Sequence, residues 1–246
     1  MKTDTPRPEQ VAELTRGVTL PFPAINDEHL LVIVETLAKV WAELSTRHAN
    51  LVERCEPYIN TLMATRLKKQ CDEGTDAMWN TLISSVARGE ESISYDGSHL
   101  EKRPDLSLLL TKARQPGFPL IIECKIIDAK THPVRLYCNE GLARFIEGEY
   151  AWYDRQTIML AYVRDASTIA TSLTPHLDKH RNEETDRFAC ERLPEAIETG
   201  AIETTDMDLA RSKHGRNFHY IESRHPNAPG PIAVWHLWVS NTAQVR

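Results

Sequence analysis

The stretch that decides the fold runs Pro104-Asp105-Leu106-Ser107-Leu108-Leu109-Leu110, then a loop over 111–119, then Leu120-Ile121-Ile122-Glu123-Cys124-Lys125-Ile126-Ile127. In the second segment the even positions Leu120, Ile122, Cys124 and Ile126 are all apolar, and the odd positions include Glu123 and Lys125. In the first, Leu106, Leu108 and Leu110 are apolar, and the odd positions include Asp105 and Ser107. Successive side chains of a strand point to opposite faces, so each segment predicts a strand with one unbroken apolar face and one face that carries charge. The Gln115-Pro116-Gly117 centre predicts a hairpin loop between them. With the loop centred near Pro116, Asp105 falls beside Lys125 and Glu123 beside Ser107. The two carboxylates are then diagonal neighbours, with backbones roughly 7–8 Å apart. At that separation they can share one hard cation.

Working outward, Thr157–Val163 is apolar on both faces, as a buried central strand is. A helix predicted over Gly141–Tyr153 makes the step from Ile127 to Thr157 a crossover, and hence a parallel strand pair. A further strand is expected at Ser92–Tyr95. Upstream, Leu30, Leu31, Val34, Leu37, Val40, Trp41 and Leu44 recur at helical spacing over 27–52, with Asn26 or Asp27 as cap. Pro57 breaks or restarts that helix. A second helix is expected over about 57–70, with Ile59, Leu62, Met63 and Leu67 on one face. Downstream, a helix is expected over 166–180 despite Pro175, and strands at Phe218–Ile221 and Ile232–Val239. The acidic stretch 182–208 resists assignment. Trp235 and Trp238 differ by an odd number and so face opposite ways, which predicts a last strand covered on both sides. The order helix, three strands, helix, strand indicates an α/β domain whose mixed sheet is flanked by helices. Residues 1–55 form an N-terminal helical extension to a domain over 56–246, with its core at 56–163 and an α+β tail.

At 246 residues the chain fits one large domain or two small ones. Its 41% hydrophobic content and net charge of -6 exclude whole-chain disorder. No apolar run approaches the roughly 20 residues of a membrane span. Met1–Gln10 is polar with two prolines, so no signal peptide is expected. Five cysteines, an odd number with no Cys-x-x-Cys pair, fit a reducing cytoplasm. The acidic balance disfavours coating nucleic acid through bulk charge but leaves room for a local phosphate-binding patch.

A divalent metal held by Asp105 and Glu123 would polarise a phosphoryl oxygen. Lys125, on the same face as Glu123, could offset the charge that develops there. The other reading of these residues is a cross-strand ion pair on a solvated sheet face. Pro104-Asp105 followed by Glu123-Cys124-Lys125, in this element order, resembles the PD-(D/E)XK nuclease superfamily over about Glu56–Val163. The resemblance implies a restriction-endonuclease-like core. It implies Asp105, Glu123 and the Cys124 main-chain carbonyl as metal ligands, Lys125 as the catalytic lysine, and an added acid, Glu56, from the first core helix. It implies a magnesium-dependent (or manganese-dependent) endonuclease acting on nucleic acid, DNA before RNA, in a restriction, phage-defence or mobile-element setting. Cutting both strands needs two sites, so a homodimer or a partner subunit is expected. A nuclease fold without catalysis, serving as a binding or scaffold subunit, is the alternative.

Other residues carry weaker signals. Arg144 could face phosphate from the site's edge, or pair with Glu147 on a helix surface. His214 and Arg216, in the cluster Ser212-Lys213-His214-Gly215-Arg216, could touch phosphate, or lie in a solvated loop. Arg66, Lys68 and Lys69 suit a helix C-terminus. His176 and His180 have a zinc-compatible spacing but lack a third ligand nearby. No Walker-type or dinucleotide glycine motif is present, which argues against ATP-driven chemistry.

Overall fold

A computed structural model describes residues 7–111, 117–199, 207–220 and 228–240. The two motif strands, β2 (Leu106–Leu110) and β3 (Leu120–Ile127), pair antiparallel inside a seven-stranded mixed sheet. The other strands are β1 (Ile83–Ala87), β4 (Gln156–Val163), β5 (Cys190–Ala196), β6 (Met207–His214) and β7 (Ile232–Val239), ordered β1-β2-β3-β4-β7-β6-β5. β4 runs parallel to both β3 and β7, so the predicted crossover pair is present. Every residue of β4 is buried, as its two apolar faces require.

Helices cover both faces. On one side, α2 (Asp27–Arg47), α3 (Glu56–Glu73) and α4 (Ala77–Leu82) bury Leu37, Trp41, Ile59 and Met63 against the even-numbered residues Leu106, Leu108, Ile122 and Cys124. On the other, α5 (Val134–Tyr137), α6 (Ala143–Ile146) and α7 (Thr174–Arg181) cover Ile121, Ile127, Met159 and Ala161. The parity read from the sequence is thus the division between two cores. Trp235 and Trp238 fall into opposite ones, as their odd separation predicts. The short α1 (Pro8–Leu14) packs Val11 in a smaller cluster with Phe118 and Trp152.

Local chemistry explains the helix ends. The Asn26 side chain caps α2 by accepting from Glu28 N–H. Pro57 sits in the first turn of α3, where its missing N–H costs nothing, and Gly74 at φ +63° ends the helix. α2 belongs to the same core as α3 and the sheet. Its Trp41 stacks on Tyr162 at 5.0 Å, and Trp41 Nε1 donates to Ser240 O at 2.9 Å.

Several expectations need correction. The strand preceding β2 is Ile83–Ala87, not Ser92–Tyr95, which contributes only an isolated bridge from Ser92 to Lys102. A register shift between Ile83 and Ser85 disrupts the alternation of β1 and hid it from pattern reading. The helix predicted over Gly141–Tyr153 instead starts at Val134, after Pro133, and ends at Ile146, just before Gly148 at φ +77°. Its middle, Cys138–Leu142, is a wider π turn that distorts the 3.6-residue period. The 166–180 helix begins at Ile169 with a π turn, and Pro175 falls in the first turn of α7, where it is tolerated. Residues 218–220 form no strand, and Ile221 lies outside the described residues. Ser212–His214 belong to β6 and not to a loop. The hairpin tip at 112–116 lies outside the described residues. Among the described residues no helix is long and apolar enough to cross a membrane.

Candidate active site at the split between two strands

β2 pairs with β3 only as far as Leu106 opposite Ile122, while β3 runs on to Ile127. Alternate amides of a strand point the same way, so the N–H groups of Cys124 and Ile126 face the side that β2 has left. Buried amides need acceptors. Cys124 N–H donates to Asp105 Oδ2 at 2.9 Å, and Ile126 N–H donates to Glu56 Oε2 at 3.2 Å. Two carboxylates thus stand in for the missing strand. One comes from the residue that precedes β2, the other from the first turn of α3.

The register differs from the sequence-based one. Leu106 pairs with Ile122, Ser107 with Ile121 and Leu108 with Leu120. Continued by one residue, this sets Asp105 opposite Glu123 and not beside Lys125. The shift is two residues in the sum, so each face keeps its residues, and the two acids become direct neighbours. Leu108 and Leu120 lie in the same core in either register, so alternation alone does not choose between the two, and the pairing of the folded strands does.

Glu123 is 1% exposed. Its Oε1 accepts from Lys125 Nζ at 2.7 Å and from Arg144 Nη1 at 2.8 Å. Its Oε2 is buried with no hydrogen-bond partner. Burial pushes the Glu123 carboxyl up to about 7; Lys125 opposes this and Asp105 adds to it. Lys125 Nζ also donates to Cys124 O at 3.0 Å and lies 3.8 Å from Glu56 Oε1. Burial disfavours that ammonium, but Glu123, Glu56 and Asp105 together outweigh it and hold its pKa above the ordinary lysine value. Burial likewise raises Glu56, with Lys125 opposing.

Arg144 turns inward to Glu123 and not along its helix to Glu147. Tyr150 backs it: Arg144 Nη1 donates to Tyr150 Oη at 3.3 Å, and the guanidinium lies 5.5 Å from the ring centre. The π turn brings Gly141 against this cluster. A Cβ there would meet Met159 Cε at 2.5 Å, and Glu123 Cγ and Lys125 Cε at 3.6 Å each. The absent Cβ lets the helix come this close without displacing the end of Met159. On the same sheet face, two register pairs along, the Ser107–Ile121 pair lines a cleft of about 310 Å³ with Pro119, Tyr153 and Glu90.

Glu56, Asp105, Glu123, Lys125, the Cys124 carbonyl and Arg144 therefore meet in one place. Their side chains bring three acids together with two bases. As the side chains stand, no three His, Cys, Asp or Glu groups among the described residues close on a common ion position. That holds for His176 and His180 too.

His214 and Arg216 do not join the site. His214 is fully buried in β6 and bonds to Ser212 Oγ and Phe188 O, both at 2.7 Å, so it cannot reach phosphate. The strand's alternation turns Ser212 and His214 inward while Lys213 points out. Arg216 donates to the main-chain carbonyls of Gly230, Pro229, Ala151 and Trp152, which makes it a clamp for two loops. The sequence did not single out Asn60, whose Nδ2 donates to Asp105 Oδ1 at 2.8 Å. Its signal was available: a polar residue four positions after Glu56, within the apolar stripe Ile59, Met63, Leu67.

Compared with known proteins, the chain matches no family model, no curated protein and no solved structure.

Proposed function

We propose that the chain is a metal-dependent nuclease of the PD-(D/E)XK kind, a DNA endonuclease built on a restriction-endonuclease-like core. One observation carries the reading: where β2 leaves β3, Asp105, Glu123 and Lys125 converge, and a carboxylate oxygen, Glu123 Oε2, is buried without a partner. A buried carboxylate oxygen left unpaired is costly in a purely structural cluster and is expected of a ligand awaiting its cation. Asp105, Glu123 and the Cys124 carbonyl would hold the ion. An all-oxygen donor set suits magnesium, or manganese. When bound, such an ion supplies Lewis acidity toward a phosphoryl oxygen.

The chain's own groups do the rest. Lys125 carries an ammonium that would leave Glu123 Oε1 and Cys124 O to face the charge developing on phosphorus. Glu56 holds Ile126 N–H and lies beside Lys125, which keeps that ammonium charged and directed. Arg144, one-third exposed, stands at the rim, where it can meet a phosphate from the solvent side. Cleavage of both strands would take a second copy or a partner subunit. A restriction, phage-defence or mobile-element role is the setting this chemistry fits by analogy with the superfamily.

A second reading has its own support. Lys125 and Arg144 already satisfy Glu123 Oε1, and among the described residues no three acidic, His or Cys groups close on a common ion position. That arrangement suits a nuclease-fold scaffold without catalysis. Incubation of the purified chain with plasmid DNA and magnesium separates the two. The nuclease reading expects cleavage that falls by roughly a hundredfold or more in Lys125→Ala, assayed at a temperature where melting curves show the variant folded. Equal cleavage by both proteins removes Lys125 from the mechanism. An inert wild type that also gives no heat with magnesium or manganese leaves the scaffold. Parallel RNA substrates test the preference for DNA.

A further inference from the structure

Asp105 is held from behind by two residues that the site uses in no other way. Asn60 is fully buried on the core-facing side of α3. Its Nδ2 donates to Asp105 Oδ1 at 2.8 Å, and its Oδ1 accepts from Tyr162 Oη at 2.9 Å. The direction of this chain is fixed by chemistry. An ionised carboxylate only accepts, so the amide must present its NH₂ to Asp105; Oδ1 is then left for Tyr162, whose hydroxyl must donate. Tyr162 is itself fixed by burial in the central strand and by its stack on Trp41 at 5.0 Å. An apolar residue would fill a plain core position at Asn60 without needing two hydrogen-bond partners. Cys124 N–H holds the other oxygen of Asp105, so both ends of the carboxylate are pinned before any ligand arrives.

We propose that Asn60 and Tyr162 are positioning residues: a buried relay that locks the Asp105 carboxylate so that its remaining lone pairs are presented to a divalent cation without prior reordering. The inference rests on the reading of Asp105 as a metal ligand. Partners that orient a ligand from behind typically contribute 10–100-fold to metal affinity.

The test is calorimetric titration of manganese into the full chain, as wild type, Asn60→Ala, Tyr162→Phe and Asp105→Ala, each at a temperature where melting curves show it folded. The relay predicts a Kd weakened about 10–100-fold in Asn60→Ala. A smaller loss is expected in Tyr162→Phe, which keeps the ring on Trp41 and frees the amide to turn. Binding should be absent in Asp105→Ala. With oligonucleotide present, excess manganese should restore cleavage by Asn60→Ala, which a folding defect would not allow. If Asn60→Ala does not fold, Tyr162→Phe decides. Wild-type affinity in both relay variants, with loss only in Asp105→Ala, overturns the relay and leaves the nuclease reading standing. No manganese binding by the wild type overturns both.

Discussion

Two polar clusters lie buried against the same face of the sheet, beneath α5 and α6, and they are built on opposite plans. In the first, around Glu123, charges outnumber partners and one carboxylate oxygen has none. In the second, every donor has an acceptor. His214 Nδ1 meets Phe188 O at 2.7 Å, so that nitrogen must carry the proton and Nε2 must accept. Ser212 Oγ, 2.7 Å away, therefore donates to His214 and accepts from His236 Nε2, also at 2.7 Å. His236 Nδ1 is left to accept from Tyr137 Oη at 2.8 Å. One assignment of protons satisfies the whole chain with both imidazoles neutral. Burial holds them so: His214 falls to about 4, against the opposing pull of Phe188 O, and His236 lies well below its ordinary value through burial and then through His214. A fully matched buried network is complete as structure, whereas the unmatched oxygen of Glu123 is the feature on which the proposed cation site rests.

The contrast can be broken most sharply by paired substitutions. Glu123→Gln keeps the shape but removes the charge. We expect loss of manganese binding and a drop in cleavage of at least about a hundredfold, with the fold retained. Ser212→Ala should do the reverse. It strands one nitrogen on each histidine and should cost roughly 2–4 kcal/mol of stability, measured by urea unfolding, while the specific activity of the folded protein stays unchanged. If Ser212→Ala abolishes activity without loss of stability, the division between the clusters is wrong.

Acid gives a second, intermediate effect with opposite signs in the two places. The histidines are depressed in the fold, so below about pH 6.5 the unfolded chain binds protons that the native one does not, and stability falls as pH falls, by about 3 kcal/mol for His214 at pH 4. Glu123 is raised, so between about 7 and 4.5 the native state takes up the proton first, and stability rises as pH falls. Urea melts of wild type and Glu123→Gln across pH 7 to 4.5 should therefore show a steeper acid loss in the variant. Equal slopes would mean that Glu123 is not buried as described.

The smallest expected effect concerns the helix that roofs the cluster. Gly141→Ala places a methyl 2.5 Å from Met159 Cε, a flexible end that can move. We expect about 1 kcal/mol of destabilisation and a several-fold fall in activity as the displaced Met159 shifts the packing beside Glu123 and Lys125. Unchanged kinetics would show that the close approach serves packing alone.

Much of this protein is written in parity and propensity. The alternation in 105–110 and 120–127 determined two strands, their apolar faces and the side that carries Glu123 and Lys125. The two-sided apolarity of Thr157–Val163 determined the central strand, and Pro57 the start of α3. These are nearest-neighbour properties, set by where consecutive side chains must point. Tertiary structure decided what depends on distance between segments. It set Asp105 opposite Glu123, because alternation allows any even shift of register and only the pairing of the folded strands selects one. It ended β2 early, so that two carboxylates took over the amides of β3. It also buried His214, which in sequence looked like part of a basic loop, because β6 pairs with β7 along its whole length and turns that ring into the core. Periodicity reports which way a side chain faces. What it meets there is settled by packing and hydrogen bonding between segments far apart in the chain.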